Sequence, residues 1–245
     1  IQGARVIDVA RQADDGFRID FDKLEQVIDE QPDIRLVFLT SPNNPTGDLV
    51  GQTELELVLK ACEGKALVVL DEAYIDFCDA ESAISLIGRY PHLVVLRTLS
   101  KAWAAAGVRC GVVIANPEVI GLLKRVIPPY PLATMAIDTA LRAISGDAIS
   151  RQQQFVDKVR KQKADLLGFL QNCDWVREVI PGEANFILLR VPDADALVAW
   201  CAGRGIRIRN FTSQAQLEGC VRLTIGSTDE MAELKLALQA YGEKA

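Results

Sequence analysis

Runs of consecutive apolar residues recur through the first half of the chain, at 36–40, 66–70, 93–96 and 111–114. Each is too short for a globular helix, and unbroken apolar runs of this length predict strands buried on both faces. Helix-start patterns lie between them. Asp22 followed by Glu25 opens one predicted helix, and Thr53-Glu54-Leu55-Glu56 reads as a capping box for another that ends near Gly64. Strand–helix–strand alternation implies α/β architecture, a mostly parallel sheet with helices on both faces. Ahead of it, Arg5-Val6-Ile7-Asp8-Val9 is also strand-like.

The pattern changes after residue 149. A long polar helix is predicted over about 150–172, then an extended segment over 183–191 and a helix near 193–204. Short strands over 206–209 and 220–225 and a C-terminal helix from Thr228 complete the chain. Strands and helices without a continuous parallel run predict a smaller α+β unit. The expected division is therefore a large domain over 1–149 and a small one over 150–245.

Parallel sheets bind ligands beyond the carboxyl ends of their strands. Three predicted strands end in polar clusters: Ser41-Pro42-Asn43-Asn44-Pro45-Thr46-Gly47, Asp71-Glu72-Ala73-Tyr74, and Arg97-Thr98-Leu99-Ser100-Lys101. Lys101 precedes a small-residue stretch, where partial desolvation would free its amine for a Schiff base. Read alone, it is a solvated charge, as most lysines are. Asp71 reads as a turn aspartate or as a carboxylate that keeps a pyridine nitrogen protonated, and Tyr74 as packing or as a donor to a cofactor. Asn44 sits in what could be only a turn. Ser100 and Arg109 could meet a phosphate. Arg222, in the apolar run Val221-Arg222-Leu223, needs an anion, either a structural carboxylate or a substrate. Arg207 and Arg209 have strand spacing toward one face, and Arg190 reads as a surface charge.

Composition narrows the choice. Of 245 residues, 27 are Lys or Arg and 33 Asp or Glu, a net charge of −6 that argues against a nucleic-acid surface. One histidine, His92, following Pro91 in a predicted turn, leaves little room for a Ser-His-Asp triad or a histidine-rich metal site, and no metal is expected. No Walker loop or G-x-G-x-x-G fingerprint occurs. Six cysteines without C-x-x-C spacing predict reduced thiols and a cytoplasmic setting, and no apolar run is long enough to span a membrane.

Taken in order, Asn44-Pro45-Thr46-Gly47, Asp71-Glu72-Ala73-Tyr74, Ser100-Lys101 and Arg109 resemble the fold-type I aminotransferases that use pyridoxal 5'-phosphate. Within that family, Asp71-Glu72-Ala73-Tyr74-Ile75-Asp76-Phe77, Arg97-Thr98-Leu99-Ser100-Lys101-Ala102, Gly107-Val108-Arg109-Cys110-Gly111 and Pro128-Pro129-Tyr130-Pro131-Leu132 are most similar to the histidinol-phosphate aminotransferase branch. The resemblance implies that Lys101 binds the cofactor covalently and shuttles the substrate proton. Asp71 would pair with the pyridinium, Tyr74 and Asn44 would face its phenolic oxygen, and Ser100 and Arg109 would hold its phosphate. Arg222, helped by Arg209, would bind the anionic group of an amino acid or phosphate-ester substrate. The resemblance further implies a homodimer in the complete protein, with an upstream segment ahead of Ile1 that carries a further phosphate loop, a stacking aromatic and a tyrosine reaching the partner subunit. Aromatic aminotransferases, threonine-phosphate-type decarboxylases and a catalytically silent binding domain would share much of this pattern.

Overall fold

The computed structural model describes residues 3–244; residues 1, 2 and 245, which bound the two expected domains, lie outside the described residues. Four strands, β1 (Leu36–Thr40), β2 (Leu67–Asp71), β3 (Leu93–Thr98) and β4 (Gly111–Ala115), form one sheet in that order. β1, β2 and β3 are parallel, and β4 is antiparallel to β3. Helices α1 (Phe21–Glu30) and α2 (Gln52–Ala61) bury Leu24, Ile28, Leu55, Val58 and Leu59 against Val37, Leu39, Val68, Leu70 and Val95 of the sheet. Two further helices, α3 (Pro117–Val126) and α4 (Thr134–Ala143), follow β4.

A second sheet takes β5 (Glu178–Ile180), β6 (Phe186–Arg190), β7 (Arg209–Asn210) and β8 (Cys220–Thr224) in the order β5-β6-β8-β7, every pair antiparallel. Its core joins α5 (Ala148–Leu170), α6 (Ala194–Ala202) and α7 (Thr228–Gly242), and includes Phe186, Ile187, Leu189, Leu197, Leu223 and Leu238. Ser227 and Glu230 close a complete capping box at the start of α7.

Several local expectations change. Residues 5–9 form no strand and enter neither sheet's pairing; Val6 is 87% exposed. The strands are not all buried on both faces: Leu36 and Phe38 share an exposed face of β1, and Val112 and Val113, on opposite faces of β4, are both exposed. The cap of α1 is Asp20, which accepts from Lys23 N at 2.9 Å, rather than Asp22. No side chain caps α2; Glu56 instead pairs with Arg89 and accepts from the Tyr90 hydroxyl at 3.2 Å. Arg190 is not merely a surface charge. It donates to Glu178 at 3.1 Å and to Glu218 O at 2.6 Å, pinning the loop before β8. His92 turns inward, its Nε2 2.8 Å from Leu59 O. All six cysteines are free thiols.

The two sheets meet where the loop after β1 touches the segment before β6. Gly47 and Gly182 both have positive φ, at 76° and 52°, and Glu183 N donates to Gly47 O at 2.6 Å. A Cβ on Gly182 would fall 2.5 Å from Gly47 Cα and 2.6 Å from Thr46 O, so only glycine fits both the space and the backbone angle. From α5, Lys163 Nζ donates to Gly182 O at 2.7 Å and to Ala184 O at 2.8 Å. Burial pulls the Lys163 pKa down from 10.5 to about 8, against the opposing charge of Glu183.

The depressed pKa fixes a pH trend. The folded chain releases this proton at lower pH than the unfolded chain, so between about 8 and 10.5 the unfolded state binds more protons and this group's contribution to stability rises with pH. The neutral amine still has two N–H donors for the two carbonyls. Urea unfolding at pH 7.5 and 9.5 checks this: wild type gains stability relative to Lys163→Met on going to the higher pH.

Candidate active site

Parallel pairing brings the carboxyl ends of β1, β2 and β3 to one rim, with Thr40 beside Asp71 and Asp71 beside Leu96. Ser41 N donates to Asp71 O and Glu72 N to Leu96 O, both at 2.9 Å, so the three loops leave the sheet side by side. The reversal of β4 matters here. Thr98 pairs with Gly111, and Leu99 N donates to Cys110 O at 3.2 Å, which sets Arg109 and Cys110 at the same rim.

A run of side-chain contacts crosses from this rim to the second sheet. Lys101 Nζ lies 4.9 Å from the centroid of the Tyr74 ring, which stands edge-on to Phe186 at 5.3 Å. The Arg222 guanidinium lies 4.9 Å from the Phe186 ring and 5.7 Å from that of Phe211. Arg222 Nη1 then donates to Asn44 Oδ1 at 2.6 Å, returning to the loop after β1. Lys101, Tyr74, Arg222 and Asn44 are thus brought together around one aromatic wall.

The remaining predicted residues sit at the margins of this group. Asp71 Oδ1 accepts from Ala73 N at 2.9 Å, the turn role, while its Oδ2 makes no hydrogen bond among the described residues. Ser100 is tied to Thr98, whose Oγ1 donates to Ser100 Oγ at 3.0 Å and accepts from Ser100 N at 3.1 Å. Arg109 has φ of 57° and donates to Ala106 O at 3.2 Å; no hydrogen bond joins it to Ser100 or Lys101. Arg209 lies directly opposite Arg222 in the β7–β8 register, whereas Arg207 precedes β7 and does not share that pairing. Thr98 and Phe186 were not singled out from sequence. Thr98 stood inside the Arg97–Lys101 cluster and could have been marked as a second hydroxyl at that strand end, but nothing local distinguishes Phe186 from a core residue.

Charge is distributed unevenly over this surface. None of the salt bridges among the described residues involves Lys101, Arg109, Arg209 or Arg222. Burial holds the Arg222 guanidinium below the usual arginine value, with Tyr74 acting to raise it and Arg209 to lower it further. Arg222 Nε is buried with no hydrogen-bond partner, a defect worth about 1–3 kcal/mol. Like charges directly opposite on one face of an antiparallel pair are also destabilising. A bound anion would relieve the repulsion between the two guanidiniums. The chemistry on offer is an amine, a carboxylate, a phenol, and two facing guanidiniums with no acidic partner. That set fits a phosphorylated pyridine aldehyde at the rim and an anionic substrate beside it.

Fold and rim together set a lysine and unpaired guanidiniums at the carboxyl end of a parallel sheet, and the family profile for aminotransferase class I and II matches residues 1–238. The chain belongs to that family. It is 41% identical over 224 residues to the histidinol-phosphate aminotransferase of Pectobacterium atrosepticum, covering 91% of this chain and 62% of that protein. It is 44% identical over 205 residues to the enzyme of the same name from Aeromonas hydrophila, covering 84% and 58%. The chain therefore spans roughly three fifths of the length of these curated relatives. Among solved structures, histidinol-phosphate aminotransferase from Sinorhizobium meliloti, in complex with pyridoxal-5'-phosphate, superposes with a TM-score of 0.83 at 24% identity, covering 99% of this chain and 65% of that one.

The opposed guanidiniums predict that inorganic phosphate stabilises the fold. At a concentration well above its Kd, phosphate raises the thermal midpoint by a few degrees. In Arg222→Leu the rise is lost, as differential scanning fluorimetry at constant ionic strength will show.

Proposed function

We propose that the protein to which this chain belongs is a pyridoxal-phosphate-dependent aminotransferase of histidine biosynthesis, converting histidinol phosphate and 2-oxoglutarate to imidazole acetol phosphate and glutamate. The contact path from Lys101 through Tyr74 and Phe186 to Arg222 carries this reading, because it sets an amine and an anion-binding group against one aromatic wall. The activity of the curated relatives supports the choice of substrate.

Lys101 would hold the cofactor through Nζ, and Asp71 Oδ2 would face its ring nitrogen. Tyr74 and Asn44 would face its phenolic oxygen, with Ser100 and Arg109 at its phosphate. When bound, pyridoxal phosphate supplies an electron sink for a carbanion. Lys101 Nζ acts as the general base that takes the proton from the substrate α-carbon. Asp71, fixed through Oδ1 by Ala73 N, keeps its second oxygen in place without a rotamer search. Arg222 orients the substrate through its anionic end, with Arg209 as helper. Glutamate offers a carboxylate at that end and histidinol phosphate a phosphate ester, and a guanidinium binds either in a bidentate fashion.

The large domain of this reading ends at residue 149, in the first turn of α5, and the small domain follows. Homodimerisation is supported by the exposed apolar side chains Leu122 and Val126 of α3, Tyr130 after it, and Met135 and Leu141 of α4. Six free thiols suit the cytoplasm.

Turnover assays on the full-length polypeptide test the proposal. Lys101→Ala keeps the wild-type circular dichroism spectrum and loses more than about 1,000-fold in rate. Substantial turnover by that variant would refute the role of Lys101. Turnover of an aromatic amino acid with none of histidinol phosphate would overturn the substrate.

A further inference from the structure

Beneath the rim lies an ionic cluster that the catalytic reading does not use. Glu72, next to Asp71, is only 1% exposed. Its carboxylate accepts from Ser82 Oγ at 2.5 Å and from Ala83 N at 2.7 Å, and Arg97 Nη1 lies 3.6 Å away. The other arm of the same guanidinium, Nη2, donates to Asp76 Oδ1 at 2.8 Å. Burial pushes the Glu72 carboxyl up, while Ser82, Ala83 and Arg97 pull it down. Glu72 and Asp76 stand two residues either side of Tyr74. The turn between them is held by Ile75 N to Glu72 O at 3.2 Å and Phe77 N to Tyr74 O at 3.1 Å. Arg97 itself lies near the end of β3, four residues before Lys101.

We propose that Arg97 is a positioning residue: its two-armed clamp on Glu72 and Asp76 fixes the phenol of Tyr74 and its distance from Lys101. The planar guanidinium suits this work because each arm serves a different carboxylate in one rigid geometry. A lysine would keep the charge and lose the fork. Backbone hydrogen bonding of the β2 end to β3 finishes at Glu72 N to Leu96 O, and beyond that point the guanidinium ties the Tyr74 turn to the strand leading to Lys101. The role in cofactor chemistry rests on the function proposed above; the clamp itself does not.

Two readouts on the full-length polypeptide separate these. The first is amide hydrogen exchange without cofactor. In Arg97→Lys, and more mildly in Asp76→Asn, the amides of Ile75, Phe77 and Cys78 exchange faster by on the order of tenfold, while those of β1 and β2 are unchanged. Wild-type exchange at those three amides in both variants overturns the clamp, whatever the enzyme does. The second is the pH midpoint of the visible absorbance of the pyridoxal-phosphate-loaded protein, followed in a double-mutant cycle with Tyr74→Phe. A phenol that donates to the cofactor's phenolic oxygen favours its ionised form, so loosening Tyr74 raises the midpoint. Arg97→Lys alone raises it in the direction of Tyr74→Phe, and adds little in the Tyr74→Phe background. No shift in Arg97→Lys, or shifts that add in full, overturns positioning through Tyr74. A wild-type protein without a visible band would count against the proposed function, leaving hydrogen exchange to decide the clamp.

Discussion

Arg222 joins two sheets that share no strand. Its Nη1 donates to Asn44 Oδ1 at 2.6 Å, across 178 positions of sequence, from β8 to the loop after β1. A hydrogen bond from a charged donor contributes about 1.5–3 kcal/mol, yet here it accompanies an unpartnered buried Nε and an arginine directly opposite. Packing alone would not select that combination. The same junction holds the Gly47–Gly182 approach, in which Glu183 N donates to Gly47 O. Asn44 is thus set by its own turn, by the small-sheet segment behind it and by Arg222 in front.

The surrounding charges are sorted in a way that follows from this constraint. Three carboxylates near the rim find cationic partners inside the protein, Asp48 with Arg11 and Glu72 and Asp76 with Arg97, whereas among the described residues Asp71 accepts only from Ala73 N. Lys101, Arg109, Arg209 and Arg222 find no carboxylate. Those three acid groups are therefore neutralised by the fold, while the basic groups are left without an acidic partner. That asymmetry leaves a locally cationic rim on a chain of net charge −6.

Much of this was legible in the chain. The apolar runs located β1 to β4 to within a residue or two, because unbroken β-branched runs have few alternatives. The strand-end rule then pointed to Asn44, Asp71, Tyr74 and Lys101, three of which share the contact path to Arg222. Arg222 was conspicuous as a charge in an apolar run. Other features depend on long-range contacts with no local signature. The antiparallel turn of β4 comes from a short link without an α-helix, and the exposure of Phe38 depends on what covers the sheet. Glu56 looked like half of a capping box, and its partners proved to be Arg89 and Tyr90, more than thirty residues away. Arg190 and His92 gained partners in the same way. Thr98 and Phe186 escaped notice because a threonine at a strand end and a phenylalanine in a core strand are ordinary until their neighbours are known.

The central claim is that Lys101 is the residue to which pyridoxal phosphate attaches. It is tested most directly by titrating the full-length polypeptide with pyridoxal phosphate, reducing with borohydride, and mapping the labelled peptide by mass spectrometry. The account predicts a visible Schiff-base band that saturates with one label per chain, on Lys101. A saturable band with the label on another lysine, or the absence of any band from the folded full-length protein, would contradict it.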